Sequence, residues 1–308
     1  MSNTQPKIPF HLEMEFTYGE PREIWTGVRR VVANNQGPLT HNGTNTYIVG
    51  KNEVALIDPG PEDSTHVSAL LEAIKGEKLT HILLTHTHKD HSGALKELKE
   101  RTGAAVFAHA PVLDNRGARR KADTPLDNGF VDLGFRPDTV VKDGDVIEGE
   151  SWALKAIHTP GHAPDHLCFE DQREPILFSG DHIMAWNTSV VIPPEGKMSD
   201  YLASLKKLLK KDYERFLPGH GGQARSPERL VKAFLMHRKW RETAIHDHIK
   251  DGKNTIDQLV PLLYPNAKPE VLPAAALSVL AHAEHLCEQG LVSSNTTPAL
   301  NSSFEAIS

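Results

Sequence analysis

The sequence lacks several features that would assign it to a specialised class of protein. Only two cysteines, Cys168 and Cys287, occur among 308 residues, so the disulfide framework of a small secreted protein cannot form. No apolar run approaches the length of a membrane span, and the first residues hold no apolar segment of signal-peptide length. The net charge is -6, which argues against attraction of the whole surface to nucleic acid or to an anionic membrane. These absences predict a globular, cytoplasmic protein.

The order of apolar segments predicts a large α/β domain followed by a small helical one. Strand-like and helix-like segments alternate over the first two thirds of the chain. A polar stretch at 111–137, with a basic cluster at 116–121, is predicted to be an insertion. From Ser226, a cap residue followed by Pro227, the pattern becomes helical. The predicted units are an N-terminal arm at 1–22, a catalytic domain at 23–222, a C-terminal domain at 226–292 and a flexible tail at 293–308.

Histidine is unusually abundant, with 18 residues, and it is clustered. The segment THTHKDH brings His86, His88, Asp90 and His91 together directly after the apolar strand THILLT and before a helix. Functional groups of open α/β sheets collect at such strand ends. Imidazoles together with a carboxylate suit Zn²⁺, although Fe and Mn also accept these ligands. This segment therefore predicts a metal site.

Three further segments place a ligand-type side chain after a strand and beside a glycine. They are TPGH with His162, SGD with Asp181 and PGHG with His220. Because each follows an apolar strand, the pattern predicts that all three side chains gather at one edge of the fold, near the histidine-rich loop. A lone His-x-His would be a weak indication, and these partners strengthen it.

Taken in order, THTHKDHSG, TPGH, SGD and PGHG resemble the metallo-β-lactamase superfamily, and LIDPG at 56–60 resembles its first motif. The resemblance spans roughly residues 23–222. It implies a four-layer αββα sandwich that carries two metal ions per chain, with zinc as the expected metal. It assigns His86, His88 and His162 to one ion, Asp90, His91 and His220 to the other, and Asp181 to a bridge between them.

Two adjacent cations suit hydrolysis. A bound cation lowers the pKa of its water from about 15.7 to about 7, and a pair about 3.5–4 Å apart can hold the nucleophile and polarise the attacked group. Asp181 would offset the repulsion between the ions, and Asp90 would orient the nucleophile. The expected activity is that of a metal-dependent hydrolase.

Three further residues near these motifs are candidates for supporting or catalytic roles. Asp58 is expected to brace the turn beneath the metal loop. His158 and His166 flank the TPGH turn, where either residue could orient a ligand or protonate a leaving group. Of the two, His166 is the preferred candidate for the catalytic proton donor, with a structural role as the alternative.

The C-terminal helices resemble the winged-helix appendage of β-lactamase-like endoribonucleases, which cut single-stranded RNA. The segment SGDHIMAWNTSVV, followed by Tyr201, resembles the same subgroup. Residues 223–253 hold eight Lys and Arg against four Asp and Glu, a net of +4, whereas the third helix has no Lys or Arg from Val271 to Gly290. Base reading, and hence sequence-specific DNA binding, is therefore not expected. The basic first helix is predicted to contact RNA without sequence preference; a lid or a homodimer interface is the alternative.

Other functions remain open at this stage. A thioester hydrolase resembling glyoxalase II and a lactonase would use the same two metals on a small-molecule substrate. A mononuclear iron persulfide dioxygenase would share much of the loop motif, and a non-catalytic RNA-binding protein would not need the complete ligand set. A β-lactamase is disfavoured, because many of these enzymes have Cys or Ser where this chain has Asp181, and because they lack a helical C-terminal domain.

Overall fold

Two β-sheets pack face to face in the computed structural model, which describes residues 6–110 and 135–307. Neighbouring strands β1 to β4 of the first sheet pair antiparallel, whereas β4 to β7 pair parallel. The strands of this sheet are β1 Arg22–Trp25, β2 Val28–Val32, β3 Asn45–Lys51, β4 Glu53–Ile57, β5 Lys78–Leu83, β6 Ala105–Ala108 and β7 Thr139–Val140.

The second sheet has the strand order β12-β11-β10-β9-β8. Its pairs are antiparallel except for β11 and β12, which run parallel. Its strands are β8 Val146–Glu148, β9 Ala153–His158, β10 Leu167–Asp171, β11 Ile176–Gly180 and β12 Arg215–Pro218.

Helices cover the outer face of each sheet, which gives the predicted αββα layers. In β4, Val54 and Leu56 face the helices of the first layer, whereas Ala55 and Ile57 lie between the sheets. This alternation follows from the two-residue period of a strand and buries both faces of the sheet. The helices of this domain are α1 Ser64–Ala73, α2 Lys89–Ser92 and α3 Leu95–Thr102 beside the first sheet, and α4 Met198–Leu208 beside the second.

The C-terminal module contains three α-helices and a β-hairpin. The first half of its long helix packs on the second sheet, where Leu230 and Phe234 share a core with Tyr201 of α4. The second half, including Ile245, packs within the module itself. The elements are α5 Pro227–Lys250, α6 Ile256–Leu263, α7 Leu272–Glu288, β13 Val292–Ser294 and β14 Phe304–Ala306, with a short 3₁₀ turn at Pro269–Val271 before α7.

The described parts of the arm and of the expected flexible tail, residues 6–22 and 293–307, are held by specific contacts. The expected flexible tail at 293–308 instead supplies the hairpin, in which Val292 pairs with Ala306. Phe304 is fully buried in the core of the module, and this burial holds the otherwise polar segment in place. In the arm, the His11 amide donates to the Ala185 carbonyl, and Phe10 packs against the core.

The predicted insertion at 111–137 and its basic cluster at 116–121 lie largely outside the described residues. No helix in the part of the chain that the structure describes combines the length and the apolar character needed to cross a bilayer.

Candidate metal centre

The histidine-rich loop lies where β5 ends and α2 begins. Leu83 is the last residue of the strand, and the single turn of α2 starts at Lys89. The His91 amide donates to the His88 carbonyl, which closes this turn. The tight turn thus brings the side chains of His86, His88, Asp90 and His91 to one end of the first sheet.

The other three ligand-type side chains reach the same place from the second sheet. His162 follows β9, Asp181 follows β11 directly, and His220 lies just beyond β12. Gly219 makes the close approach of these segments feasible. A Cβ atom at residue 219 would lie 2.6 Å from Asp181 Oδ1 and 2.6 Å from His91 Cε1. The glycine preceding His220 is therefore a packing requirement of the site.

His86, His88 and His162 form the first ligand set. The His88 Nδ1 atom lies 2.9 Å from His86 Nε2 and 3.1 Å from His162 Nε2. In each ring, the other nitrogen contacts an oxygen atom. These oxygens are Thr85 Oγ1 at 2.9 Å from His86 Nδ1, Val190 O at 2.6 Å from His162 Nδ1, and Glu195 Oε2 at 3.3 Å from His88 Nε2.

Those outer contacts determine which ring nitrogens carry the protons. A carbonyl or a carboxylate can only accept, so His162 donates through Nδ1 and His88 through Nε2. The Thr85 hydroxyl donates to Asp58 Oδ2 at 2.7 Å, so it accepts from His86 Nδ1. When the three imidazoles are neutral, three nitrogen lone pairs consequently face one another. A cation between them removes the repulsion, so this arrangement fits a metal ion.

Asp90, His91 and His220 form the second set in the same manner. The Nε2 atoms of His91 and His220 lie 3.2 Å apart, and Asp90 Oδ2 lies 3.2 Å from His220 Nε2. His91 Nδ1 donates to Asp58 Oδ2 at 2.9 Å, and His220 Nδ1 donates to the Gly43 carbonyl at 3.2 Å. Both Nε2 atoms therefore point inward, towards the carboxylate oxygen.

Asp181 lies between the two sets. Its Oδ2 atom is 3.4 Å from His220 Nε2 and 3.8 Å from His162 Nε2. Its Oδ1 atom is buried and has no hydrogen-bond partner among the described residues. Because burial of an unpartnered carboxylate oxygen is costly, this atom also fits a site that receives a cation. Ligand atoms of His86, His91 and Asp181 lie within 4.8 Å of one another, which links the two sets.

The electrostatics of the site follow from burial and from close charges. Burial, reinforced by neighbouring imidazoles, holds the pKa of His86 well below its usual value. Burial alone would lower the pKa of His220, but the Asp181 and Asp90 carboxylates raise it to about 9. Burial would raise the pKa of Asp181, yet His220 and His91 hold it well below the ordinary range. Without a cation, protons on His220 and His91 would balance the carboxylates; a metal ion would replace them.

The residues expected around the ligands occupy different positions. Asp58 contacts the metal loop directly: its Oδ1 atom accepts from the Thr85 amide at 2.7 Å, and its Oδ2 atom from His91. His166 is fully buried, with Nδ1 2.9 Å from Thr159 Oγ1 and Nε2 accepting from the Asp181 amide at 3.1 Å. Its Nε2 carries no proton, so this geometry favours the positioning role over that of a proton donor.

His158 is not brought to the ligands. Its Nε2 atom contacts the Pro164 carbonyl at 2.9 Å, and its ring stacks on His109 with centroids 4.3 Å apart. Sequence reasoning also missed two contributors, Glu195 and the Val190 carbonyl, which contact ligand imidazoles. Both belong to an irregular segment, where neither periodicity nor a motif singles out a residue. Asp165, which accepts from the Thr87 amide at 3.1 Å and hydroxyl at 2.8 Å, was missed for the same reason.

The sandwich and the histidine and aspartate ligands at its edge are those of a metal-dependent hydrolase. The chain belongs to the metallo-beta-lactamase superfamily, whose family model matches residues 39–220. A second family model, the beta-lactamase associated winged helix domain, matches residues 255–299. The predicted fold and family are thereby confirmed.

Curated relatives are named for the same family. The chain is 30% identical to a beta-lactamase-like protein 2 homolog of Caenorhabditis elegans, and the match covers 90% of each chain. It is 28% identical to the lactamase-like protein aptB of Emericella nidulans over 82% of this chain and 79% of that protein. Against the lactamase-like protein adaB of Aspergillus niger the identity is 30%, and the match spans 63% of that longer protein.

Solved structures share the fold. A metallo-beta-lactamase family protein, TTHA1429 of Thermus thermophilus, has a TM-score of 0.75 and 24% identity, with 92% of this chain and all of that chain covered. A beta-lactamase domain protein of Burkholderia ambifaria has a TM-score of 0.80 at 18% identity and covers 97% of each chain. TTHA1623 in a di-iron-bound form is 30% identical, with a TM-score of 0.50 over 64% of this chain and 93% of that chain.

Proposed function

We propose that this protein is a binuclear hydrolase, with zinc as the expected metal. One observation carries the proposal: two sets of inward-facing nitrogen and oxygen atoms lie side by side, with the Asp181 carboxylate between them. A mononuclear enzyme would need only one set. The completeness of Asp90, His91 and His220 therefore supports two ions and disfavours the mononuclear iron dioxygenase.

When bound, the cations would supply a water that ionises near neutral pH and would polarise the attacked group. The residues of this chain would orient that water. Asp90 has the most exposed ligand side chain, at 28%, against 9% for Asp181 and 0% for His91. Burial would raise its pKa, but His91 and His220 hold it well below the ordinary range, so its carboxylate stays ionised. We assign to Asp90 the orientation of the attacking water.

Single-stranded RNA is the first candidate substrate. The match to the beta-lactamase associated winged helix domain supports it, since the resemblance to RNA-cutting relatives rests on this appendage. Fewer basic side chains are exposed on α5 than the sequence of this helix indicates. Arg238 and Arg241 are only 3% and 4% exposed, so they do not form part of an open basic face on α5. Arg229 and Lys239 remain exposed.

A small-molecule thioester or lactone is the second candidate, and the burial of Arg238 and Arg241 favours it, because such substrates need no basic approach path. Iron in place of zinc is a further alternative, supported by the di-iron form of TTHA1623. The homodimer and the cytoplasmic location stay predictions from the sequence.

The test combines metal analysis with a substrate panel. The full-length protein would be loaded with zinc, iron or manganese, and its metal content measured by elemental analysis. Each form would be assayed on single-stranded RNA, an acyl-glutathione thioester, an acyl-homoserine lactone and a cephalosporin. We expect two ions per chain and turnover of RNA or of a thioester. One iron per chain with oxygen uptake on a persulfide would contradict the proposal.

A further inference from the structure

One irregular segment supplies the outer contacts of two ligands in the first metal set. The 189–197 loop, which follows β11 and precedes α4, provides the Val190 carbonyl to His162 and the Glu195 carboxylate to His88. Outer contacts of this kind fix the orientation and the tautomer of an imidazole ligand. The position of this loop therefore bears on the geometry of the three-histidine site.

The C-terminal module holds the 189–197 loop in three places. At its start, the Arg238 guanidinium on α5 donates from Nη2 to the Ser189 carbonyl. In its middle, Ile192 packs against the apolar core of the module. At its end, Lys197 forms an ion pair of 3.2 Å with Glu288 on α7. The ion pair is largely exposed and is expected to contribute little, so Arg238 is the main polar contact.

Ser189 connects this contact to the ligands. Its hydroxyl lies 2.5 Å from the Asp181 carbonyl and 2.7 Å from the His182 carbonyl, and it donates towards both. The residue that follows it provides the carbonyl for His162. The Arg238 guanidinium also stacks on the Tyr201 ring, 5.1 Å from its centroid, and the Tyr201 hydroxyl donates to the His182 carbonyl at 3.1 Å. Arg238 and Tyr201 thus bind the backbone carbonyls of Ser189 and His182, next to the carbonyl that contacts His162.

We propose that Arg238 is a positioning residue through which the C-terminal module sets the geometry of the three-histidine metal site. The guanidinium lies almost completely buried at the junction of the two units, at 3% exposure. Loss of its contact with Ser189 would free the backbone that aligns His162. This inference rests on the proposed metal site and on no particular substrate.

Arg241 offers a matched control three residues further along the same helix. It too is buried, donates to a backbone carbonyl, that of Leu263 at 2.7 Å, and stacks on an aromatic ring, that of Tyr264 at 4.2 Å. Its partners belong to the module alone. Arg241→Met should therefore weaken the module as Arg238→Met does but leave the three-histidine site unchanged.

The experiment measures cobalt binding by full-length protein in a His220→Ala background, which removes a ligand of the second set. Arg238→Met should lower cobalt affinity roughly tenfold, at the lower end of the range seen for outer contacts, and should change the visible absorption of the bound ion. Arg241→Met should do neither. Arg238→Lys keeps a charged donor, although it loses the planar stacking group, so it should give a smaller loss in the same direction.

Equal losses in the Arg238 and Arg241 variants would overturn the inference, because general weakening of the module would then explain both. Unchanged affinity and absorption in Arg238→Lys and in Arg238→Met would overturn it as well; if Arg238→Met does not fold, unchanged values in Arg238→Lys alone would do so. A parent that binds no cobalt would overturn the proposed metal site and this inference together. Cobalt binding by the parent therefore tests the metal site separately from the role of Arg238.

Discussion

His91 and His220 face each other through Nε2 atoms 3.2 Å apart, and each ring donates its Nδ1 proton to an oxygen atom outside the site. For His91 that oxygen belongs to Asp58, which also accepts from the Thr85 amide. Asp58 thus sets the orientation of a ligand and the position of the loop that carries four of them.

Replacement of Asp58 by Asn should weaken metal binding by roughly 10–100-fold, because an amide cannot accept at both of its terminal atoms. The acceptor contacts at stake are with the Thr85 amide at Oδ1, and with the Thr85 hydroxyl and His91 Nδ1 at Oδ2. The measurement is competition against a chromophoric chelator. Asp63→Asn is the control, since Asp63 caps α1 through the Thr65 amide and Asn caps equally well. Equal affinities in the two variants would contradict the role given to Asp58.

Asp181→Ala should remove more metal than His88→Ala. Asp181 lies between both ligand sets, whereas His88 belongs to the first set alone. We expect His88→Ala to keep one ion and to lose activity, and Asp181→Ala to hold neither ion tightly. Elemental analysis after dialysis against a weak chelator measures the difference. Two tightly held zinc ions in Asp181→Ala would rule out a bridging carboxylate.

Phe304→Ala should lower the free energy of unfolding of the C-terminal module by about 3–5 kcal/mol, the usual cost of emptying a buried aromatic site. Phe304 is fully buried, whereas Ile307, three residues further along, is 48% exposed. Ile307→Ala is therefore the matched control and should change stability by less than about 0.5 kcal/mol. Urea denaturation measures both values. Similar small effects would mean that the hairpin does not stabilise the module.

His282 should make the module less stable as the pH falls. Burial is the main cause that lowers its pKa from 6.5 to about 4, so the unfolded chain binds a proton over this interval that the native chain does not. The stabilisation is complete above pH 6.5 and is lost on acidification towards pH 4. The loss between pH 7 and pH 5 should be roughly 2 kcal/mol from this residue.

His282→Gln provides the comparison for this pH dependence. The variant should lose stability less steeply than the parent between pH 7 and pH 5, whatever its stability at neutral pH. Glu242 adds to the acid sensitivity only at lower pH. Burial would raise its pKa, but contacts with His282 and His285 lower it to about 2, so its share is lost below about pH 4.5. Parallel curves for parent and variant would exclude His282 as the source.

If RNA is the substrate, its binding should depend on the exposed basic residues of α5. Arg229→Glu combined with Lys239→Glu should weaken binding equally across sequences. The slope of the logarithm of the binding constant against the logarithm of the salt concentration should become shallower by about one to two. Both residues are exposed. Lys96→Glu, an exposed change on α3 in the outer layer beside the first sheet, is the control and should change nothing. Thioester or lactone turnover should be unaffected in every variant.

The clustering of the candidate ligand residues could be predicted because each follows an apolar strand, and strand ends of one sandwich meet at a common edge. His162 and His220, far apart in sequence, are located by that rule alone. The rule does not identify Glu195 or the Val190 carbonyl. An irregular loop carries no periodic signal, and because every residue has a backbone carbonyl, the amino-acid type does not single one out. Phe304 was missed since one apolar residue in a polar stretch does not reveal its burial. The burial of Arg238, in the basic first helix that was predicted to contact RNA, could not be predicted either, because it depends on a distant partner, the Ser189 carbonyl.

The ligands come from both sheets, and β3 binds the end of β12 beside them: the Asn45 side-chain amide donates to the Pro218 carbonyl at 2.8 Å, and the Tyr47 hydroxyl donates to it at 2.6 Å. A metal ion between the two sheets needs ligands from both of them, so it binds only while the sheets remain packed together. Its binding free energy is therefore added to that of folding, about 2.7 kcal/mol per site at a free concentration one hundred times Kd. The lifetime of the protein against proteolysis should accordingly rise and fall with the metal supply of its surroundings.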